Sequence, residues 1–589
     1  MDINVGVGRR PRNVDWKRAA ALLYGDWGTS KAYVTGLAFA AAGYSSFYLV
    51  LGVSILTFVV GLNYVWVCRY FPDGGGVYSS ARYHSRILAL AGGFFLVANY
   101  IVTAAISSFE AMHYFGTADQ ARRWAIVAIF AIGLINFWGP RHSGSIALFL
   151  AVPTLLVVVV LACFAMPWVK FAHLQPLSNN YSENWRNFVG VILALSGVES
   201  IANMTGIMKK DPDSPEHRPT VVGTSRKAIW VVMIEVCLFT TFFGFVMLAM
   251  PHPEANHETM LRHIAETVAG PWLAVLVSLV FGFLLLSAVN TAIVSLVSVL
   301  YLMTSDDELP TPFASLNRYG VPWILMLLSI LVPVFVTDVV GDLAGLASLY
   351  AIGVVGAILI NLGSCAFNRT LPMRRHERLT MLATTIVLLA IEVTIAITSV
   401  SALLFITTIL VIGFGARQIH KTAARKPAVA EPRTAPVASA PAERIEPAAP
   451  PEDVDISGGK LLVAVRGITP SFHFAVDEAK YRKAALYVLY VREVAVNIPA
   501  GPTRWQDDPT ARDIFDKCKQ QAPGVAMIPV YASSHAPAET IVEMAALLGV
   551  DFLILGTAAR GGLMTFLKGN VVEEVIRQLP ENVHVLIYG

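Results

Sequence analysis

Two carboxylates stand inside apolar stretches of this chain, each among glycine and hydroxyl residues. Asp26 lies in Tyr24-Gly25-Asp26-Trp27-Gly28-Thr29-Ser30, and Glu199 lies in Leu195-Ser196-Gly197-Val198-Glu199-Ser200. A charge at bilayer depth is costly, and where it persists it marks an ion or substrate path. Glycine makes local unwinding of a helix cheap. An unwound turn offers carbonyl oxygens to a cation and amide ends to an anion. Gly25, Gly28 and Gly197 therefore read as helix-break positions. The competing reading gives the glycines a packing role between helices.

A third polar group accompanies them. Asn99, Thr103 and Ser107 recur every four residues and so line one face of a helix, next to Tyr100. Such a line borders an aqueous cavity or bonds neighbouring helices together. Tyr33 stands seven residues after Asp26, two turns along, and returns to the same side. Lys31 points elsewhere, with three readings: a proton carrier, the positive partner of Asp26, or a side chain reaching toward a boundary. Asp26 has an alternative of its own, near the cytoplasmic interface and paired with Lys31 or Arg18.

The elements that must position these residues are membrane spans. Of 589 residues, 55% are hydrophobic and 14% charged, against about 25% charged in a soluble domain. The deficit lies before residue 418. The sequence predicts twelve spans, at 19–41, 46–67, 88–110, 124–138, 144–168, 188–208, 229–250, 271–302, 321–337, 343–363, 379–396 and 399–416. The eighth is long enough to tilt or to end in an extension. Arginine and lysine gather before span one and after spans two, four, six, eight and ten, which predicts both termini on the cytoplasmic side. The loop from Pro251 to Glu266 then faces outward and carries His252, His257 and His263. A solvated loop with a short amphipathic helix is favoured there over a metal site. The five cysteines are scattered without ligand spacing. The chain is read as a non-enzyme. A net charge of +3 spread over loops is no nucleic-acid signature.

Residues 1–18 read as a cytoplasmic segment, 19–416 as the membrane domain and 417–458 as a linker rich in alanine and proline. From 459 to 589 the pattern changes. Strands are expected at 461–465, 487–491, 525–530, 552–555 and 583–587, with helices at 538–548 and 571–576. Their alternation implies a small α/β domain with a parallel sheet.

The membrane domain resembles the amino acid–polyamine–organocation superfamily over roughly residues 19 to 416. The resemblance implies an all-α, LeuT-like fold of five-plus-five inverted repeats and two added helices, with helices one and six broken near the midplane. The segment Tyr24 to Ser30 is similar to the opening motif of Kup-type potassium uptake proteins, with Lys31 where that motif has proline. The pattern also resembles KimA-type potassium–proton symporters. In those, an aspartate and a tyrosine of the first helix contribute to potassium binding, and Asp26 and Tyr33 match. Asn99, Thr103 and Ser107 match an aspartate, threonine and serine of the third helix, with asparagine for aspartate. Ser196-Gly197-Val198-Glu199 matches threonine-glycine-valine-glutamate of the sixth.

The resemblance implies proton-coupled potassium uptake across a bacterial cytoplasmic membrane. Potassium would be held by Asp26, Tyr33, Thr103 and Ser196, and the proton carried by Glu199, with Asp26 and Lys31 as further candidates. Two rivals stand: a proton-coupled amino acid permease, and a sensor or scaffold that does not transport. No cofactor is required for any of them.

The tail resembles the universal stress protein family through Gly556-Thr557-Ala558-Ala559-Arg560-Gly561-Gly562 and Lys568-Gly569-Asn570. ATP-binding members have glycine where Ala559 lies and serine or threonine where Asn570 lies, and Arg466 replaces their acidic residue. The resemblance implies a backbone-amide loop around Gly556, Gly569 and Asn570 for an adenine nucleotide, ATP or cyclic di-AMP. The alternative is a domain that pairs protomers into a homodimer without nucleotide.

Overall fold

In the computed structural model the residues described are 3–4, 12, 14–138, 143–212, 214, 220–317, 319–424, 459–494, 504–534, 536–557, 571–579 and 583–588. A two-residue strand, β1 (Ile3–Asn4), precedes the helices α1 (Trp16–Trp27), α2 (Ser30–Ala42) and α3 (Ser46–Tyr70). Next come α4 (Gly76–Arg82), α5 (Arg86–Tyr114), α6 (Ala121–Asn136) and α7 (Ser143–Ala165). The middle of the chain holds α8 (Tyr181–Gly190), α9 (Ser200–Met204), α10 (Val222–Val246), α11 (Met260–Ala269) and α12 (Pro271–Ser305). The helical part closes with α13 (Trp323–Val340), α14 (Leu343–Phe367), α15 (Arg375–Thr398) and α16 (Val400–Ala424).

Local chemistry sets several of these ends. Asp15 caps α1 by accepting from the amides of Lys17 and Arg18, both at 3.0 Å, as an N-terminal carboxylate should. Ser85 does the same for α5 at Ile87, 3.1 Å away. Pro271 opens α12, where its missing N–H is harmless. Gly43 ends α2 with φ +53°, a turn open to glycine, and α3 then packs back against α2.

Among the described residues, nine helical stretches are long and apolar enough to cross a membrane, or ten if the bent pair Tyr181–Gly190 and Ile192–Ile207 is one span. The first of the nine, Trp16–Tyr70, is 55 residues long, about 80 Å if straight and so far more than a core of about 30 Å requires. The fourth expected span is the 16-residue α6. α12 has 35 residues, about 52 Å, in line with the length read from the sequence.

Large apolar side chains such as Phe149, Leu156, Leu238, Phe335, Ile397 and Val411 are exposed around the bundle, a surface that fits lipid rather than water. α5 runs through the centre, packed by α12 and α14, and from Ala98 to Tyr114 every residue on it is buried. The polar line of Asn99, Thr103 and Ser107 is thus carried on the bundle's inner rod. The loop from Pro251 to Glu266 forms two 3-10 turns, Pro253–Ala255 and His257–Thr259, followed by α11. That helix buries Met260, Leu261, Ile264 and Ala265 on one face, the amphipathic arrangement expected. His257 and His263 bond the carbonyls of Glu254 and Pro251 at 2.9 and 2.7 Å, tying the loop to its own backbone.

α16 continues as helix to Ala424, beyond the expected start of the linker at 417, and residues 425–458 lie outside the described ones. Its end is held by charge: Arg417 meets Glu308 at 2.6 Å and His420 meets Asp307 at 2.8 Å. The His420 hydrogen bond holds the Asp307 carboxyl below its ordinary range.

The C-terminal domain contains β2 (Lys460–Ala464), α17 (Pro470–Arg482), β3 (Ala485–Glu493), α18 (Pro509–Gln521) and β4 (Met527–Ser534). It continues with α19 (Pro537–Leu548), β5 (Phe552–Gly556), α20 (Val571–Gln578) and β6 (His584–Tyr588). The sheet has the order β1-β4-β3-β2-β5-β6, and every neighbouring pair is parallel. Apolar residues cover both faces in two clusters, one around Leu462, Tyr487 and Leu553 and one around Val463, Phe472 and Phe515, as a parallel sheet requires. The N-terminal strand β1, which joins this sheet beside Val530 and Tyr531, was not expected within the segment 1–18.

Candidate functional site

The first interruption falls at Gly28 and Thr29, between α1 and α2. α1 runs intact through Gly25, so Gly25 is not a break position. An added Cβ there would meet only Ser287 Oγ at 3.9 Å, ordinary contact, so close packing does not require glycine at this position either. Gly28 and Thr29 keep right-handed angles, φ −66° and −71°, so this break is a slackening of the helix rather than a sharp unwinding. It still frees carbonyls, and the three next side chains take them. Thr29 Oγ1 donates to Asp26 O at 2.5 Å, Ser30 Oγ to Trp27 O at 2.7 Å, and Lys31 Nζ to Gly28 O at 3.0 Å.

The second interruption is deeper. α8 gives way to a 3-10 turn, Ile192–Leu195, and then to extended backbone at Ser196 and φ +93° at Gly197 before α9 begins. The two interruptions touch. A Cβ on Gly197 would lie 2.5 Å from the amide nitrogen of Trp27 and 2.9 Å from the carbonyl carbon of Asp26. Gly197 thus lays its backbone directly on the Asp26–Trp27 peptide, a closeness only glycine permits.

That contact brings both carboxylates together out of water, with Asp26 4% and Glu199 3% exposed. Ser200 Oγ donates to Asp26 Oδ2 at 2.6 Å, and Asn99 Nδ2 donates to Glu199 Oε1 at 2.7 Å. Asp26 Oδ1, Glu199 Oε2 and Asn99 Oδ1 are each buried without a hydrogen-bond partner. Three acceptor oxygens left bare at the meeting of two broken helices are costly to maintain and are suited to a cation or a proton. Tyr33 faces Ser196 and Thr29, and Ser196 is hydrogen-bonded to Tyr350 of α14. Thr103 Oγ1 donates to Asn99 O one turn back at 2.8 Å. Ser107 is buried on α5, two turns beyond Asn99 and so about 12 Å along the axis.

Residues 14–428 match the family profile described as Amino acid permease. The chain belongs to the amino acid permease family. Residues 459–586 match the Universal stress protein family, so this permease carries a universal stress protein domain as its tail. A curated relative is the potassium transporter KimA of Bacillus subtilis (strain 168), 26% identical over 371 residues. The match covers 57% of this permease and 58% of that protein, so the chain spans somewhat over half the length of the relative. Family and relative together make the chain a membrane transport protein, distantly related to a potassium transporter. Among the described residues no group of three or more His, Cys, Asp or Glu side chains is placed to hold a metal ion.

Several residues of the permease site carry no local sequence signal. Lys31 does not pair with Asp26 or reach a boundary. It is fully buried and bonds Glu235 of α10 at 3.0 Å, with Tyr24 OH donating to the other oxygen of Glu235 at 3.0 Å. Its ammonium lies 4.7 Å from the centre of the Tyr24 ring and on the Gly28 carbonyl, so a tethered cation occupies the break itself. Ser200, Tyr350 and Glu235 were not singled out from the sequence. Ser200 adjoins Glu199 and was recoverable as a hydroxyl one residue from a buried acid. Tyr350 and Glu235 lie on other spans, and only tertiary contact reveals them.

The segment before α1 is bonded to the end of the broken sixth element. Val14 and Lys209 exchange backbone bonds across the end of the broken sixth element, Val14 N to Ile207 O at 3.1 Å and Lys209 N to Val14 O at 2.8 Å. Arg12 adds bonds to Thr205 O at 3.3 Å and Asp73 at 2.8 Å. In the tail, Gly556 ends β5 beside Ser471, while Gly569, Asn570 and the rest of 558–570 lie outside the described residues. Arg466, in place of an acidic residue, pairs with Glu493 at 2.9 Å.

Proposed function

We propose that this permease moves potassium together with a proton into the cell, across a bacterial cytoplasmic membrane, with twelve spans in a LeuT-like inverted repeat and both termini inside. The observation that carries this reading is the contact of Gly197 with the Asp26–Trp27 peptide, which joins two buried acids and leaves one oxygen of each unpartnered. Asp26, Tyr33, Thr103, Ser107 and Ser196 supply oxygens for the ion. Glu199, held by Asn99, exchanges the proton. Alternating access rocks one repeat against the other around this point, and the printed name of the relative supports potassium as the cargo.

Purified protein in liposomes tests it. Wild type should take up potassium with a proton, and Asp26→Asn should lower uptake by about 1.5–3 kcal/mol of transition-state stabilisation, ten- to more than a hundred-fold, as loss of a hydrogen bond or contact to a charged group does. No uptake by wild type, or uptake untouched by Asp26→Asn, sinks the assignment.

One observation favours a second reading. Lys31 already neutralises the first break, and Asn99 carries no charge, so an amino acid whose carboxylate meets the amides near Gly28 and Gly197 also fits. Competition by a panel of amino acids in the same vesicles separates the two. The tail sheet reverses its winding around β2, where β3 and β5 flank it, the place where such sheets bind ligands beyond their strand ends. We read the ends of β2 and β5, at Arg466 and Gly556, as the position for an adenine nucleotide, with pairing of two protomers as the alternative role of the domain.

A further inference from the structure

A further buried acid lies along α5 from the site. Glu110 is on α5, eleven residues beyond Asn99 and so about 16 Å along the helix, and its side chain is fully buried. Neither of its oxygens has a hydrogen-bond partner. An acid buried this way adds nothing to the fold and strains it, so its presence calls for a use. Three elements bring titratable groups to it. Glu258, in the outward 3-10 turn His257–Thr259, acts on Glu110 through space. Tyr33 of α2 and Tyr114 of α5 feel the Glu110 charge. His113, one turn from Glu110, bonds Glu258 at 3.1 Å through Nδ1, while its buried Nε2 has no partner. Arg262 of α11 comes to the end of α5 at Gly116, and α12 and α14, which pack on α5, contribute no charged residue.

The outward turn sits hard on α2. A Cβ on Gly36 would fall 1.6 Å from the carbonyl oxygen of His257, so backbone meets backbone there without a gap. Glu258 and His113 thus form a bonded cover beside Glu110, and Tyr33, which faces Ser196 and Thr29, stands within reach of the Glu110 charge.

We propose that Glu110, covered by His113 and Glu258, is an outer protonation station on the path between the external loop and the Asp26–Glu199 site. A potassium ion needs several oxygens to replace its water shell, and Glu110 has no such ring. A single proton satisfies a lone carboxyl. When the outward turn lifts from Gly36, external hydronium gives its proton to one Glu110 oxygen and leaves as water. When the turn closes, the neutral acid is the form that can be sealed in without a counter-charge. The proton then passes inward past Tyr33 to the Glu199 carboxylate, and its departure leaves Glu110 ionised until hydronium reprotonates it at the next opening. This inference rests on the proton-coupled reading above.

The test uses the full-length protein, wild type beside Glu110→Gln, Glu110→Asp and Glu258→Gln. In liposomes the proton influx accompanying potassium should fall about a hundred-fold in Glu110→Gln, the scale of a positioned proton-transfer group. Its uptake should lose the dependence on external pH, which Glu110→Asp should restore and Glu258→Gln should shift. Glu110→Gln should unfold no more easily than wild type, since no bond is lost. Proton influx and pH dependence equal to wild type in Glu110→Gln would overturn the station. If wild type carries no potassium, the transport reading fails first, and infrared spectra of the purified proteins still decide the station. A carboxylic-acid band present in wild type and absent from Glu110→Gln supports it, and an identical band in both overturns it.

Discussion

Gly197→Ala should end transport and lower the stability of the protein by about 3–5 kcal/mol, the range of severe overpacking combined with backbone strain. Two costs act at once. Residue 197 holds φ +93°, which a side chain resists. The new methyl would also sit 2.5 Å from the Trp27 nitrogen and 2.7 Å from its Cα, and backbone cannot rotate away as a flexible side chain can. Relief requires the two broken elements to separate, which parts Asp26 from Glu199. Gly190→Ala is the control, because nothing lies within 4 Å of its would-be Cβ. Thermal unfolding in detergent and uptake in liposomes should both separate the two variants. Equal behaviour would mean that the contact between the breaks is dispensable.

Lys31→Met should destabilise the protein by about 3–5 kcal/mol, the usual result of removing one partner from a buried ion pair. It leaves Glu235 facing Tyr24 with a charge out of water, and strips the Gly28 carbonyl of its donor. The damage arises from the stranded charge more than from the lost attraction. Lys31→Met combined with Glu235→Leu should therefore recover much of the loss. A double-mutant cycle on unfolding midpoints measures this coupling. Additive losses would show that the pair does not act as a unit.

These two positions also mark where the sequence is informative. Glycine, hydroxyls and an acid packed within seven residues of an apolar run announce a break, and the segments of Asp26 and Glu199 do meet at Gly197. The Asn99 face is legible because a four-residue period maps directly onto a helix. The partner of Lys31 is not legible, since Glu235 lies 204 residues away on a span with no unusual local pattern. Tyr350 is hidden for the same reason. The character of the first break was also beyond reach, because glycine permits unwinding without requiring it. Thr29, Ser30 and Lys31 instead cap the carbonyls that an ion was expected to share.

Helix ends agree closely where apolar composition changes sharply at charged ends, as for 46–67, observed as Ser46–Tyr70, and 343–363, observed as Leu343–Phe367, whereas 19–41 and 188–208 are each divided at a break. In the tail, the five strands stand within a few residues of expectation. α17 and α18 stand where no element was expected, although Asp508 accepts from the amides of Thr510 and Ala511 and Pro509 takes the first helical position, the usual helix-opening order. The two residues of β1 carry no periodicity to detect, and a neighbouring sheet edge alone makes them a strand.

Potassium uptake by this permease requires an ion-accepting centre where the two broken elements touch. Calorimetric titration of the purified full-length protein with potassium chloride, wild type against Asp26→Asn, addresses it most directly. Saturable heat in wild type that disappears in Asp26→Asn is the expected result. Silence toward potassium in wild type, or the same isotherm in both proteins, would contradict it.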